Sequence, residues 1–99
     1  MVLISMTINQ LTFRTHAIRR MFQRSITSSD VRHVLKTGEV IEDYPNDTPY
    51  PSRLMLGWCG SRPLHLVAAD GLETQETIII TVYEPDPDKW ESGFRKRKP

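Results

Sequence analysis

His16, Arg20 and Arg24 recur every four residues, which stacks one imidazole and two guanidiniums along a single ridge if the stretch is helical. At about 100° per residue, positions 16–24 divide into two arcs. Ala17, Ile18, Met21 and Phe22 fall on one side, and His16, Arg19, Arg20, Gln23 and Arg24 on the other. A second set of groups sits on strand-like sequence. His65 interrupts the apolar run Pro63-Leu64-His65-Leu66-Val67, and Arg53, Thr81 and Tyr83 occupy neighbouring period-two segments at positions expected to point the same way. Imidazole, guanidinium and phenol together can cleave RNA without a metal. A neutral imidazole takes the proton of a 2′-hydroxyl, and an arginine fork holds the charge on the phosphoryl oxygens. A second imidazole or a tyrosine hydroxyl then donates to the leaving oxygen. Because the 2′-oxygen is the nucleophile, this chemistry implies RNA rather than DNA.

The bland alternatives are a solvated basic helix face, a surface imidazole at His65 and an exposed His33. No Gly-rich phosphate loop, His-Glu-x-x-His zinc motif or Gly-x-Ser-x-Gly elbow occurs. Glu39, Glu42, Asp43 and Asp47 are dense in carboxylate, but their spacing matches no calcium loop and reads as acidic surface. No metal and no other cofactor is expected. The lone cysteine, Cys59, has no cationic neighbour in sequence to activate it, and it excludes an internal disulfide.

Periodicity supplies the elements that must position these groups. Thr12 or Thr15 caps a first helix from about Phe13 to Arg24. Ser25-Ile26 breaks it, and Thr27-Ser28-Ser29-Asp30 resembles a capping box that opens a second helix to Thr37, with Val31, Val34 and Leu35 as its buried stripe. Gly38 ends that helix as a C′ residue, and the pair reads as a hairpin. Beyond Gly38 the period becomes two, over Glu39–Tyr44, Arg53–Cys59, Leu64–Ala69 and Glu76–Tyr83. A Pro-rich loop (45–51), a turn (60–63) and a polar turn (70–75) separate these segments. Alternation places Leu54, Leu56, Trp58, Leu64, Leu66, Ala68, Ile78, Ile80 and Val82 under the helices. Arg53, Met55, Gly57, His65, Val67, Ile79, Thr81 and Tyr83 then line an open face. The expected fold is α+β, an N-terminal helical hairpin packed on a twisted, mainly antiparallel sheet of about four strands. Residues 1–11 read as an arm or edge strand. A single turn over 88–91 lays Trp90 on the body, and residues 92–99 form a basic tail.

At 99 residues the chain has room for one domain, 1–99, with one modest core. Its apolar runs are too short for a membrane span and its first residues lack a signal-peptide pattern, so no membrane partner is expected and the cytoplasm is the expected location. The net charge of +1 conceals segregation. Up to Lys36 six Lys/Arg face only Asp30, from Thr37 to Glu91 three face eleven Asp/Glu, and the tail carries Arg95-Lys96-Arg97-Lys98. Such ends suit a polyanion or a charged protein partner.

The order of motifs resembles the DUF4258 family of small proteins. The likeness rests on His16-Ala17, Arg20-Met21 and Arg24, then Ile26 to Asp30-Val31 and Gly38-Glu39-Val40-Ile41-Glu42-Asp43-Tyr44-Pro45. It continues through Pro49-Tyr50-Pro51-Ser52, Arg62-Pro63-Leu64-His65, Ile80-Thr81-Val82-Tyr83-Glu84-Pro85-Asp86 and Trp90 with Phe94-Arg95, about residues 12 to 98. The resemblance implies an RNase-toxin-like protein of the barnase, colicin and RelE-like fold, paired with a cognate antitoxin protein. It makes His16, Arg20, His65 and Tyr83 the catalytic candidates. Arg24, Arg53, Thr81, Arg95 and Lys96 are the expected nucleic-acid contacts. The expected function is metal-independent RNA cleavage by 2′-hydroxyl attack, on free or ribosome-bound RNA. The alternative is a non-catalytic module that binds protein or nucleic acid through its charged segments.

Overall fold

The period-two segments pair into one five-stranded sheet in the computed structural model, which describes residues 10–71 and 75–99. In chain order the elements are β1 (Gln10–Phe13), α1 (Thr15–Arg24), α2 (Ser28–Thr37), β2 (Glu39–Tyr44), β3 (Ser52–Cys59), β4 (Arg62–Asp70) and β5 (Glu76–Tyr83). The sheet order is β1-β5-β4-β3-β2. β2 to β5 form an antiparallel meander, and β1 joins the edge parallel to β5. The fold is α+β and mainly antiparallel, with five strands rather than about four. The additional strand, Gln-Leu-Thr-Phe, overlaps the end of the stretch read as an arm or edge strand and runs on to Phe13, where the sequence places the start of the first helix. The remainder of that arm, residues 1–9, lies outside the described residues, as do residues 72–74 of the polar turn. No described helix is long and apolar enough to cross a membrane.

The capping box at the start of α2 is complete. Thr27 Oγ1 accepts from the Asp30 N–H at 3.0 Å, and Asp30 Oδ2 accepts from the Thr27 N–H at 2.9 Å. A cap of this kind contributes about 1 kcal/mol. α1 has no such device: its N-cap is Arg14, which makes no side-chain cap bond. Neither Thr12 nor Thr15 caps it, and Thr12 instead donates its hydroxyl proton to Glu76 across β1 and β5. Ser25 ends α1 in the left-handed region at φ 54° and turns Ile26 into the core.

The helices do not clearly form the expected N-terminal hairpin. α1 packs on β5 and α2 on β3. Their apolar stripes are narrow and are used up on the sheet: Ala17, Val31 and Val34 are fully buried, with Met21 and Leu35 packed alongside. Ile18 and Phe22, on the same arc as Ala17 and Met21, remain 53% and 89% exposed.

Under the helices the sheet contributes Met55, Leu64, Leu66, Ala68, Ile79 and Val82. Burying side chains of this size stabilises by about 1.5–3 kcal/mol each. On β4 the expected alternation holds; on β3 it is reversed. Met55 faces the helices, and Leu54 and Leu56, 1% and 3% exposed, are buried on the other side. Register carries Arg53, paired with Ala68, to the helix side as well. On β5 the pairing slips between Thr81 opposite Val67 and Ile79 opposite Ala68, leaving Ile80 as the extra residue of a bulge. Ile79 therefore takes the place of Ile78 and Ile80 under the helices, and Ile78, 6% exposed, is buried on the other side. Gly57 explains why β3 adopts its register: a Cβ there would lie 2.8 Å from both Val34 methyls. Gly38 works likewise, through closeness rather than dihedral freedom. It is extended at φ −78°, and a Cβ would meet Val34 O at 2.6 Å and Leu56 O at 2.7 Å.

Residues 89–98 cover the far face around His65. They fold back on themselves, with Glu91 N–H to Lys96 O at 2.8 Å, Lys98 N–H to Lys89 O at 2.9 Å and a Trp90–Arg97 bridge. Trp90 lies on the body as expected, 4% exposed, and Phe94 reaches Trp58 at 6.0 Å between ring centroids. Arg95 pairs with Glu39 at 2.9 Å, and Arg97 lies 3.8 Å from Glu42 and 4.7 Å over the Trp90 ring. Glu42 also accepts from the Tyr44 hydroxyl at 2.6 Å, and burial with that carboxylate pushes the Tyr44 pKa up to about 12. The stretch read as a basic tail is thus a strap bound to β2, and it covers the part of the face read as open that holds His65.

Replacing Gly57 with Ala forces Val34 to move. Urea denaturation of Gly57→Ala should show a loss of about 1–3 kcal/mol, and adding Val34→Ala should make the two changes less than additive.

Candidate functional site

His65 is fully buried between β4, β5 and the strap. Its Nε2 lies 2.9 Å from the Phe94 carbonyl oxygen, which can only accept, so Nε2 carries the proton. In the neutral ring Nδ1 is then the acceptor, and it receives the Tyr83 hydroxyl at 3.3 Å. Tyr83 is the cross-strand partner of His65, so the sheet register itself creates this contact. The Trp90 ring stands edge-on to the imidazole at 4.4 Å between centroids. Desolvation holds the His65 pKa below its ordinary 6.5 and outweighs the opposing effect of the Phe94 carbonyl. Burial also raises Tyr83 above 10.0.

Tyr83 lines a cleft of about 340 Å³ together with Arg20, Arg24, Glu84, Asp86, Lys89, Trp90 and Arg97. Three parts of the chain meet there: the ridge of α1, the end of β5 and the strap. Two carboxylates line the cleft as well. Glu84 pairs with Arg62 at 3.0 Å, and Asp86 accepts from the Asp88 N–H at 2.9 Å. Arg62 also donates to the carbonyls of Ser25, at 3.1 Å, and Arg24, tying the end of α1 to the residue after β5. Among the described residues neither Arg20 nor Arg24 has a carboxylate within ion-pair distance. Two free guanidiniums one helical turn apart, beside a phenol hydrogen-bonded to a neutral imidazole, can hold a phosphoryl group and exchange a proton with it.

The structure thus gathers Arg20, Arg24, Tyr83 and, behind Tyr83, His65. His16 is exposed one turn farther along the ridge and is not part of the cleft wall. Thr81 shares the far face with Tyr83, half-buried opposite Val67. Arg53 is not with them. It pairs with Asp70 at 3.0 Å on the helix side of the sheet, in a separate cleft with Arg32 and Lys36. Arg95 is held by Glu39, and Lys96 is exposed on the strap. His33 is exposed on α2. Cys59 packs against Asp30, and burial followed by that carboxylate raises its thiol pKa. No group of three His, Cys, Asp or Glu side chains is arranged as metal ligands among the described residues. Sequence reasoning missed Arg97, Trp90 and Arg62 as builders of the site. Trp90 in an acidic, Pro-punctuated segment was the available signal, since an isolated tryptophan in a polar stretch usually marks a docking point.

A family model described as "Domain of unknown function (DUF4258)" matches residues 13–84, and the chain belongs to that family. Neither a comparison with curated proteins nor one with solved structures gave a significant match. The strap that supplies Trp90 and Arg97 lies beyond the matched residues.

Burial of a neutral His65 makes stability depend on pH. Its folded pKa is depressed, so between that value and 6.5 the unfolded chain binds the extra proton. The contribution is fully present above pH 6.5 and drains away as pH falls through the folded pKa. Urea midpoints measured from pH 7.5 downward should fall below 6.5 in the native chain, and the fall should flatten in His65→Gln.

Proposed function

We propose that this protein is a metal-independent RNA endonuclease that cleaves at the Arg20–Arg24–Tyr83–Arg97 cleft, and that it acts as the toxin of a toxin–antitoxin pair with a cognate antitoxin protein. One observation carries the catalytic reading: the Tyr83 hydroxyl, bonded to a buried neutral His65, lines one cleft with Arg20 and Arg24, which have no carboxylate within ion-pair distance among the described residues. The toxin role rests on the resemblance in sequence.

In this reading Arg20, Arg24 and Arg97 hold the scissile phosphate, and their charge favours the more anionic transition state. Tyr83 passes its proton to His65 Nδ1 as it takes the proton of the ribose 2′-hydroxyl. The imidazolium is steadied by its Nε2–H bond to the Phe94 carbonyl. The 2′-oxygen bonds to phosphorus, the bond to the 5′-oxygen breaks, and the 5′-oxygen leaves with a proton taken from solvent water. The products are a 2′,3′-cyclic phosphate and a 5′-hydroxyl. Tyr83 touches the substrate; His65 acts through it as a positioning residue and proton store.

Purified protein incubated with total RNA, with and without ribosomes, should produce 2′,3′-cyclic ends in the presence of EDTA. Tyr83→Phe should slow cleavage about a hundredfold or more, and Arg20→Ala should lower kcat/KM. Because burial depresses His65, the acid limb of the rate profile should lie below pH 6.5. Cleavage equal in all variants, or none with ribosomes supplied, overturns the catalytic reading. RNA retention without cleavage, sensitive to salt and lost in Arg20→Ala, would instead identify a binding module.

A further inference from the structure

Arg53, expected on the open face, stands instead on the helix side of the sheet, in the wall of a second cleft. This cleft, of about 470 Å³, lies between α2 and strands β1, β3, β4 and β5, and Leu11, Arg32, Leu35, Lys36, Asp70 and Thr77 complete its lining. A volume of this size suits a small ligand. Asp70 is held from two sides. Its Oδ1 accepts from the Thr77 hydroxyl at 3.0 Å, and its Oδ2 accepts from Arg53 Nη1 at 3.0 Å. Thr77 is 5% exposed and the Arg53 side chain 25%, so the pair is anchored in the body of the sheet. Among the described residues Arg53 makes no other side-chain hydrogen bond, which leaves the Nε–H and Nη2–H edge of its fork without a protein acceptor. Arg32 and Lys36 follow each other at four residues on an exposed ridge of α2. Neither has a carboxylate within ion-pair distance among the described residues.

We propose that this cleft binds a small phosphate monoester, its phosphate dianion on Arg32, Lys36 and the open edge of Arg53, and a hydroxyl of its organic body donating to Asp70. The balance of groups decides the class. Three cations against one carboxylate leave an excess of two positive charges, which a phosphate dianion meets in full and a single carboxylate only by half. The open edge of a guanidinium matches two phosphoryl oxygens in one plane. A nucleic-acid strand would bring a charge with every nucleotide past Asp70. A monoester keeps its one charged group on the cations and turns a donor toward that carboxylate. Leu11 and Leu35 give its carbon atoms an apolar wall. Sugar phosphates and nucleoside monophosphates share this chemistry. The cleft has no lining residue in common with the Tyr83 cleft, so the inference stands apart from the proposed catalysis.

The test titrates the full chain with ribose 5-phosphate, uridine monophosphate and inorganic phosphate while backbone amide signals are followed by NMR. Both monoesters should shift the amides of Lys36, Arg53 and Thr77 saturably. They should bind about tenfold more tightly than inorganic phosphate, the worth of one hydrogen bond to a charged group, and the tighter of the two names the source. Arg32→Gln and Lys36→Gln should each weaken binding about tenfold, with nearly unchanged melting temperatures because both side chains are exposed. Arg20→Ala should leave the shifts at these three amides as they are. No shift at these amides, equal affinity in the two α2 variants, or monoesters no tighter than inorganic phosphate overturns the inference. So does a short DNA strand that saturates the same amides when neither monoester does, which would assign the cleft to a polyanion.

Discussion

The 2.9 Å hydrogen bond from the fully buried His65, through Nε2–H to the Phe94 carbonyl, fastens the second face of this protein. The meander is apolar on both sides, and its two helices cover only one. On the other side His65 is covered by the residues that follow β5. A buried imidazole without partners would cost several kcal/mol, so its two bonds make the covering specific as well as favourable. Trp90 supplies the apolar area and His65 supplies the register.

That closure also builds the cleft. The strap brings Lys89, Trp90 and Arg97 against Tyr83, while Arg62 grips the last carbonyls of α1 and holds Arg20 and Arg24 at the same rim. Stability and the candidate chemistry therefore draw on the same contacts. Substitutions at His65 or Trp90 act on both, whereas the exposed side chains of α1 can change without disturbing either face.

The segregated charges find two different uses. Arg95 and Arg97 meet Glu39 and Glu42 across the strap, and exposed pairs of this kind are worth about 1 kcal/mol or less. Their effect is orientation: they fix which way the strap lies over β2. The arginines of α1 have no counterpart among the described carboxylates, and Arg20 and Arg24 line the Tyr83 cleft.

Much of this was legible in the chain itself. The Thr27–Asp30 box, the limits of β2 and β5, the inward faces of Leu64, Leu66 and Ala68, and the Arg20–Arg24 ridge all follow from local chemistry acting over a few residues. Other features depended on the assembled fold. Leu54-Met55-Leu56 is apolar without a break, so alternation could not say which face meets the helices; the contact of Gly57 with Val34 decided it. The Ile80 bulge shifted Ile79 into the core through pairing with β4, which no window of β5 encodes. Arg95 and Arg97 read as a loose cationic tail until the fold set Glu39 and Glu42 beneath them. Local sequence determined the elements and their charges because caps, periods and turns are short-range. Which faces became interior, and which side chains met in one cleft, was decided by contacts between residues far apart in the chain.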